Sequence, residues 1–307
     1  MHKGLQALLI FFLLCCASKN MQAQHSFTFN NGPVMFKYQD SLKTISAKTF
    51  DAESNARRFA LNATFIKTLV NALKTPHSFH FNFDSLQKVS ILKAPDNSFR
   101  IFTWYVPVDD GSYRYFGTIQ MATADGKLKL YPLIDNTEQI KDPNAVTGSK
   151  NWYGARYYEI VPVIVSGRQP FYTLIGWKGN NAKTSKKVID VLSFEKGEPV
   201  FGKPVFEGLK GAGIKNRIIF EYNKMNSMTL TMDKSVNMIV FDHLAPFTAE
   251  MEGNFEYYAS DLSFDAYKIL NGKLKLVENV ELKNEPNVMD EFYTDPTDKN
   301  TKPIKKL

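Results

Sequence analysis

The chain has 307 residues, 44% of them apolar, 22% charged and 13% aromatic, with a formal net charge of +7. That is enough apolar material for one large domain or two smaller ones, and too much for a disordered chain. The basic excess is scattered and interrupted by acids, with a single cluster at Lys299, Lys302, Lys305 and Lys306; with no basic stripe, nucleic acid is excluded as a partner.

The first residues follow the plan of a secretory signal. His2 and Lys3 precede an unbroken apolar run from Leu8 to Leu14, and small or polar residues follow from Ala17 to Gln24. The run is far short of the roughly 20 residues that span a membrane, so no transmembrane segment is expected in the mature chain. Residues 1–23 are therefore read as a signal peptide cleaved after Ala23, with Ala17 as the alternative site, and the mature protein as periplasmic or extracellular. A lipid anchor through Cys16 is the alternative, although only Leu13 of the preceding residues fits a lipoprotein box. Both cysteines, Cys15 and Cys16, lie in this leader. The mature chain then has no thiol and no disulfide, and its core alone must hold the fold.

Residues 24–83 are expected to form a lead segment with one amphipathic helix. Weak alternation at Phe27, Phe29, Val34, Phe36 and Tyr38 precedes a helical stripe of Ala56, Phe59, Ala63, Ile66, Leu69, Val70 and Leu73. The spacing predicts a helix over about 51–74, capped by Asp51 and stopped by Pro76. From Phe79 the period changes to two. Strands are predicted at 99–106, 113–121, 127–130, 157–165, 171–177, 187–194, 217–222, 228–232, 236–242, 264–270 and 273–282. Asp110-Gly111, Asp125-Gly126, Lys196-Gly197 and Asn271-Gly272 supply the turns. Without room for helical crossovers, residues 84–283 read as an antiparallel β domain.

Three units of three strands start at 99, 157 and 217. Their spacing favours a mainly β, antiparallel multi-hairpin meander, propeller-like or a curled sheet, with a β-sandwich as the alternative. Residues 284–307 lose all periodicity and read as a polar, extended or disordered tail.

The segments APDNSFRIFTW (94–104), LIGWKGNNAKTSKKVIDVLSF (174–194), PVFG (199–202), RIIFEY (217–222) and NMIVFDHLAP (237–246) carry a resemblance. Over roughly residues 84–282 the sequence resembles an uncharacterised family of signal-peptide-bearing exported proteins of Bacteroidetes-type bacteria. The resemblance implies export and such a source. It implies no activity and no functional residues.

Candidate chemistry is sparse. His77 and His80 stand three apart beside Pro76. On a starting strand they would face opposite ways, so they read as surface residues, and no metal site is assigned. Asp242 and His243 end a strand and are the best catalytic candidates, although neighbours on a strand do not ordinarily meet. Asp109/Asp110 and Glu250/Glu252 read as turn and surface acids rather than a glycosidase pair. The stretch Gly208 to Gly213 lacks the ending of a phosphate loop. The densest feature is aromatic: Trp152, Tyr153, Arg156 and Tyr158, with Trp104 and Trp177 on nearby strands, would form a ligand-binding platform if exposed.

Two functions follow. The favoured one is a non-enzymatic module that binds a glycan, a peptide or a cell-envelope partner, with no cofactor. The other is a hydrolase of envelope or nutrient polymers. An open aromatic platform at Trp152 would favour the first, and a cleft joining His243 to two or more carboxylates the second.

Overall fold

The computed structural model describes residues 31–208 and 213–281, so the predicted signal peptide and polar tail lie outside the described residues. Among the described residues two helices come first, where the sequence predicts one. Helix α1 (Gly32–Asp51) was hidden because Gln39, Ser46 and Thr49 share its buried stripe with Met35 and Leu42, which blurs the apolar period. Asp51 therefore ends α1, and Ser54 caps α2 (Asn55–Lys74) by accepting from the Arg57 backbone N–H at 3.3 Å. The buried face of α2 is also rotated from the predicted stripe, running through Asn62, Phe65, Leu69, Ala72 and Leu73. Asn62 is drawn inward by Trp104, whose indole Nε1–H donates to its Oδ1 at 2.8 Å.

Among the described residues fifteen strands follow, numbered in chain order, in three sheets. Sheet one is a meander of β1 (Ser90–Lys93), β2 (Phe99–Pro107), β3 (Tyr113–Met121) and β4 (Leu130–Ile134). Sheet two runs β5 (Thr147–Gly148), β9 (Glu198–Phe201), β8 (Thr184–Glu195), β7 (Phe171–Gly179), β6 (Arg156–Val163), with β11 (Ile218–Asn223) also paired to β8. Sheet three runs β10 (Phe206–Glu207), β15 (Lys273–Val277), β14 (Tyr258–Leu270), β13 (Met238–Pro246), β12 (Leu230–Asp233). Every pairing between these strands is antiparallel except β10 with β15. The mainly β, multi-hairpin meander expected from the sequence is therefore what forms. The first two repeat units correspond to sheets one and two, but the third is split: its first strand, β11, joins sheet two, and the rest belongs to sheet three.

Alternation along the strands explains how the sheets pile up. On β2, Phe102 and Trp104 pack with Leu42, Phe65 and Leu69 of the helices, whereas Phe99 and Ile101 face sheet two and meet Tyr172, Leu174 and Leu192. The opposite face of sheet two offers Val161, Ile175, Ile189 and Val191 to Phe206, Ile239, Phe241 and Tyr267 of sheet three. The layers thus run helices, sheet one, sheet two, sheet three. Each fully buried Phe or Leu in these interfaces contributes about 1.5–3 kcal/mol. The last interface is incomplete beside β11, where a cleft remains.

Candidate functional site

The cleft holds about 590 Å³. Phe220 of β11 and Phe241 of β13 meet in its floor with ring centroids 4.7 Å apart, and Tyr267 of β14 lies 5.5 Å beyond Phe241. Its polar lining includes His243, Asp265, Glu278, Asp142, Lys215 and Arg217.

A local irregularity aims His243. The register of β13 against β14 shifts between Asp242 and Leu244, so His243 sits at a bulge, a device that redirects one side chain. Its Nδ1 lies 2.9 Å from Asp265 Oδ2 on the neighbouring strand. The other carboxylate oxygen of Asp265 accepts from the Asn279 backbone N–H at 2.9 Å, which fixes the group from two sides. The hydrogen bond from His243 to Asp265 and the charges of Asp265, Asp261 and Glu278 raise the imidazole pKa above its ordinary value, against a smaller opposing effect of burial. With Nδ1 engaged, Nε2 is the ring nitrogen left for a substrate. The His243 side chain is 49% exposed and that of Asp265 only 10%.

Asp242, the other half of the sequence-level candidate, is buried elsewhere. It forms a reciprocal pair with Thr229, accepting from its backbone N–H at 2.9 Å and donating its own N–H to Thr229 O at 3.2 Å. Strand alternation turns it away from His243, and Asp265 takes the place of the partner. Asp265 and Glu278 were missed because cross-strand register, not sequence proximity, brings them to the imidazole.

The aromatic group around Trp152 is not the open platform expected from the sequence. Trp152 is fully buried, its Nε1–H donating to the Tyr157 hydroxyl at 3.0 Å. Tyr153 is buried beneath two cations, Lys178 Nζ at 4.3 Å and Arg217 Cζ at 5.0 Å from its ring. Tyr158 is half-buried and ties sheet two to sheet three through a 2.7 Å hydrogen bond to Leu230 O. Arg156 is half-buried on β6, opposite Trp177 on β7. Packing between the sheets consumes these rings.

Those rings surround a buried polar core that composition gave no sign of. Asp190 accepts from Tyr157 Oη at 3.0 Å and forms an ion pair with Arg217 Nε at 3.0 Å, both side chains fully buried. Lys178 is buried nearby. Its Nζ donates to Thr137 Oγ1 at 2.9 Å and to the Gly154 carbonyl, while Thr137 in turn donates to Asp135. Gly154 is required at its position, since a Cβ there would meet the Asp135 carboxyl at 2.5 Å. Burial lowers the Lys178 pKa to about 7, partly offset by the Asp135 charge. Lys178 also lines a smaller pocket of about 250 Å³ with Tyr115, Asp135 and Thr137.

Among the described residues no group of three or more acids, histidines or cysteines is arranged to hold a metal ion. No described helix is long and apolar enough to cross a membrane. No family model, curated protein or solved structure matches this chain.

Proposed function

We propose that this chain is an exported hydrolase of envelope or nutrient polymers, with His243 as the proton-transferring group in the cleft between sheets two and three. One observation carries the reading: the His243–Asp265 pair, 2.9 Å apart, opens into a cleft of about 590 Å³ that Glu278 also lines. His243, Asp265 and Glu278 line one cleft while Trp152 is fully buried, which supports this reading over an aromatic platform. Asp265 holds the imidazole through Nδ1, so Nε2 can take a proton from an attacking water or return one to a leaving group. Glu278 is the second acid beside it, and the Phe220–Phe241 floor gives a sugar face or an apolar side chain a surface to lie on. The leader at residues 1–23 and the resemblance to exported proteins of Bacteroidetes-type bacteria support an extracytoplasmic site of action.

The test is a panel of glycans, cell-wall fragments and peptides, scored for cleavage. Turnover that falls at least about 100-fold in His243→Gln, with binding retained, supports the reading, since general acid–base groups contribute that much. Unchanged turnover in that variant removes His243 from the chemistry. The aromatic floor favours a second reading, the non-enzymatic binding module. It gains if ligands bind the cleft, lose affinity in Phe220→Ser, and are never cleaved.

A further inference from the structure

A second pocket, of about 560 Å³, lies at the far side of sheet one and is independent of the cleft. It is lined by His77, His80, Lys93, Asn97, Gln120 and Lys127, with Phe79 below them. The two histidines come together because Ser78–His80 is a single 3-10 turn rather than the start of a strand, and residues three apart in such a turn eclipse one another. His77 is held in the left-handed region at φ 60°, a conformation a non-glycine residue adopts only when its surroundings enforce it. Its ring lies on Gly126 of the β3–β4 turn, where a Cβ would approach it to 2.4 Å.

Behind this pocket stands a charge whose described partners are all neutral. Arg100 is 2% exposed, and its guanidinium donates to Gln120 Oε1 at 2.8 Å, to Ser78 O at 2.8 Å and to Phe81 O, all of them neutral. Among the described residues no carboxylate pairs with it. Phe79 carries two cations, with Lys93 Nζ 4.9 Å and Arg100 Cζ 5.6 Å from its ring centroid. Two acids that neighbour lining residues in the chain are otherwise engaged. Asp125 is bound to Lys127 at 3.3 Å on the exposed turn, and Asp96 is turned to Tyr172 and Ser98. A buried cation with neutral partners leaves its field unneutralised, and that field reaches the pocket.

We infer that this pocket binds an oxyanion, the phosphate or sulfate group of a larger ligand. Lys93, His77 and His80 are the contacting groups, and Arg100 is the fixed charge behind them. The titration of His80 agrees with the geometry: burial lowers its pKa, and Lys93, His77 and Arg100 lower it further by repulsion. An anion in the pocket would reverse those repulsive contributions. Binding and protonation of His80 are therefore linked, and affinity falls as pH rises through the imidazole range.

The experiment follows the His77 and His80 ring resonances of the full chain by NMR during addition of inorganic phosphate, sulfate or acetate, at constant ionic strength set with chloride. The expected result is a saturable shift of His77 and His80 with phosphate and sulfate and a rise in the His80 pKa. In Lys93→Gln, an exposed position that should not disturb folding, affinity should drop about tenfold, as for a lost charge-assisted hydrogen bond. A response that merely follows ionic strength overturns the inference, and so does one unchanged in both Lys93→Gln and His80→Gln. An equal response to acetate removes the tetrahedral oxyanion specificity and leaves a general carboxylate site instead. Gly126→Ala, which presses on the His77 ring, is the second variant. It should weaken phosphate binding while the thermal melting of the chain shows that it still folds.

Discussion

Two arginines are buried among the described residues, and they are solved in opposite ways. Arg217, immediately before β11, is paired with Asp190, both side chains fully buried, and donates to the Pro143 carbonyl at 2.6 Å. Burial pulls its pKa down, but the Asp190 charge and the pairing with it win, and the net shift is upward. Arg100, between sheet one and the helices, has among the described residues only neutral oxygens and the rings of Phe79, Phe83 and Phe102 around it. Burial there goes unopposed and lowers its pKa to about 9. Neutralised charge belongs to the structure and stays silent outside it. Unneutralised charge projects a field, and the pocket with His77 and His80 lies where that field reaches solvent.

The largest expected effect comes from breaking the neutral pair. Asp190→Ala strands Arg217 in the core and should destabilise the chain by about 3–5 kcal/mol in urea denaturation. The double variant Asp190→Leu with Arg217→Met should recover most of that loss, because a buried ion pair is seldom better than apolar groups of similar size. If the double variant is as unstable as the single one, the pair holds the sheets together by more than charge compensation. Tyr157, which also donates to Asp190, would be the next residue to test.

Arg100→Met should be milder. It strands the carbonyls of Ser78 and Phe81 but also removes an uncompensated charge, and a loss of about 1–3 kcal/mol is expected. A loss as large as that of Asp190→Ala would show that Arg100 is compensated after all and would erase the contrast.

Lys178 is the intermediate case. It has neutral hydrogen-bond partners like Arg100, yet Asp135 stands one hydroxyl away through Thr137. Its pKa is about 7 in the folded chain against an ordinary 10.5. Between those values the unfolded chain carries the proton and the folded chain does not, so stability rises with pH from about 7 to about 10. In Lys178→Met that slope should vanish from the pH dependence of the urea midpoint. A persisting slope would assign it to other groups.

The fold was more legible in the sequence than the site, for physical reasons. Period-two runs such as FRIFTWY (99–105) and FYTLIGW (171–177) fall on strands because their alternation meets two different layers, and Asp-Gly turns marked the hairpins. Helix α1 was illegible because three of the five residues on its inward stripe are polar, and β11 was assigned to the wrong neighbours because nothing local states which sheet a strand will join. Trp152 and Tyr153 looked functional because composition cannot tell a ring in a wall from a ring on a surface. Asp265 and His243 are 22 residues apart and meet only through β13–β14 register. The pairing of His77 with His80 turned on reading a 3-10 turn as a strand, a difference of a few backbone angles that reverses which way two side chains point.

The smallest effect returns the contrast of the arginines in two imidazoles. His243, bound to Asp265 among acids, has its pKa raised, and His80, facing cations, has its pKa lowered. Both remain substantially solvated, so their contributions to stability are slight, but NMR titration resolves them one by one. His243 should titrate above the ordinary value of 6.5 and His80 below it. The stabilisation from the His243–Asp265 contact is fully present below the unfolded value of 6.5 and is lost as pH rises through the higher folded value. Asp265→Asn should bring His243 back towards 6.5 and leave His80 where it was. If instead the two histidines titrate together in the unmodified chain, neither the acid-lined cleft nor the cation-lined pocket has the field its residues imply. The catalytic reading of the one and the anion-binding reading of the other would then lose their electrostatic basis together.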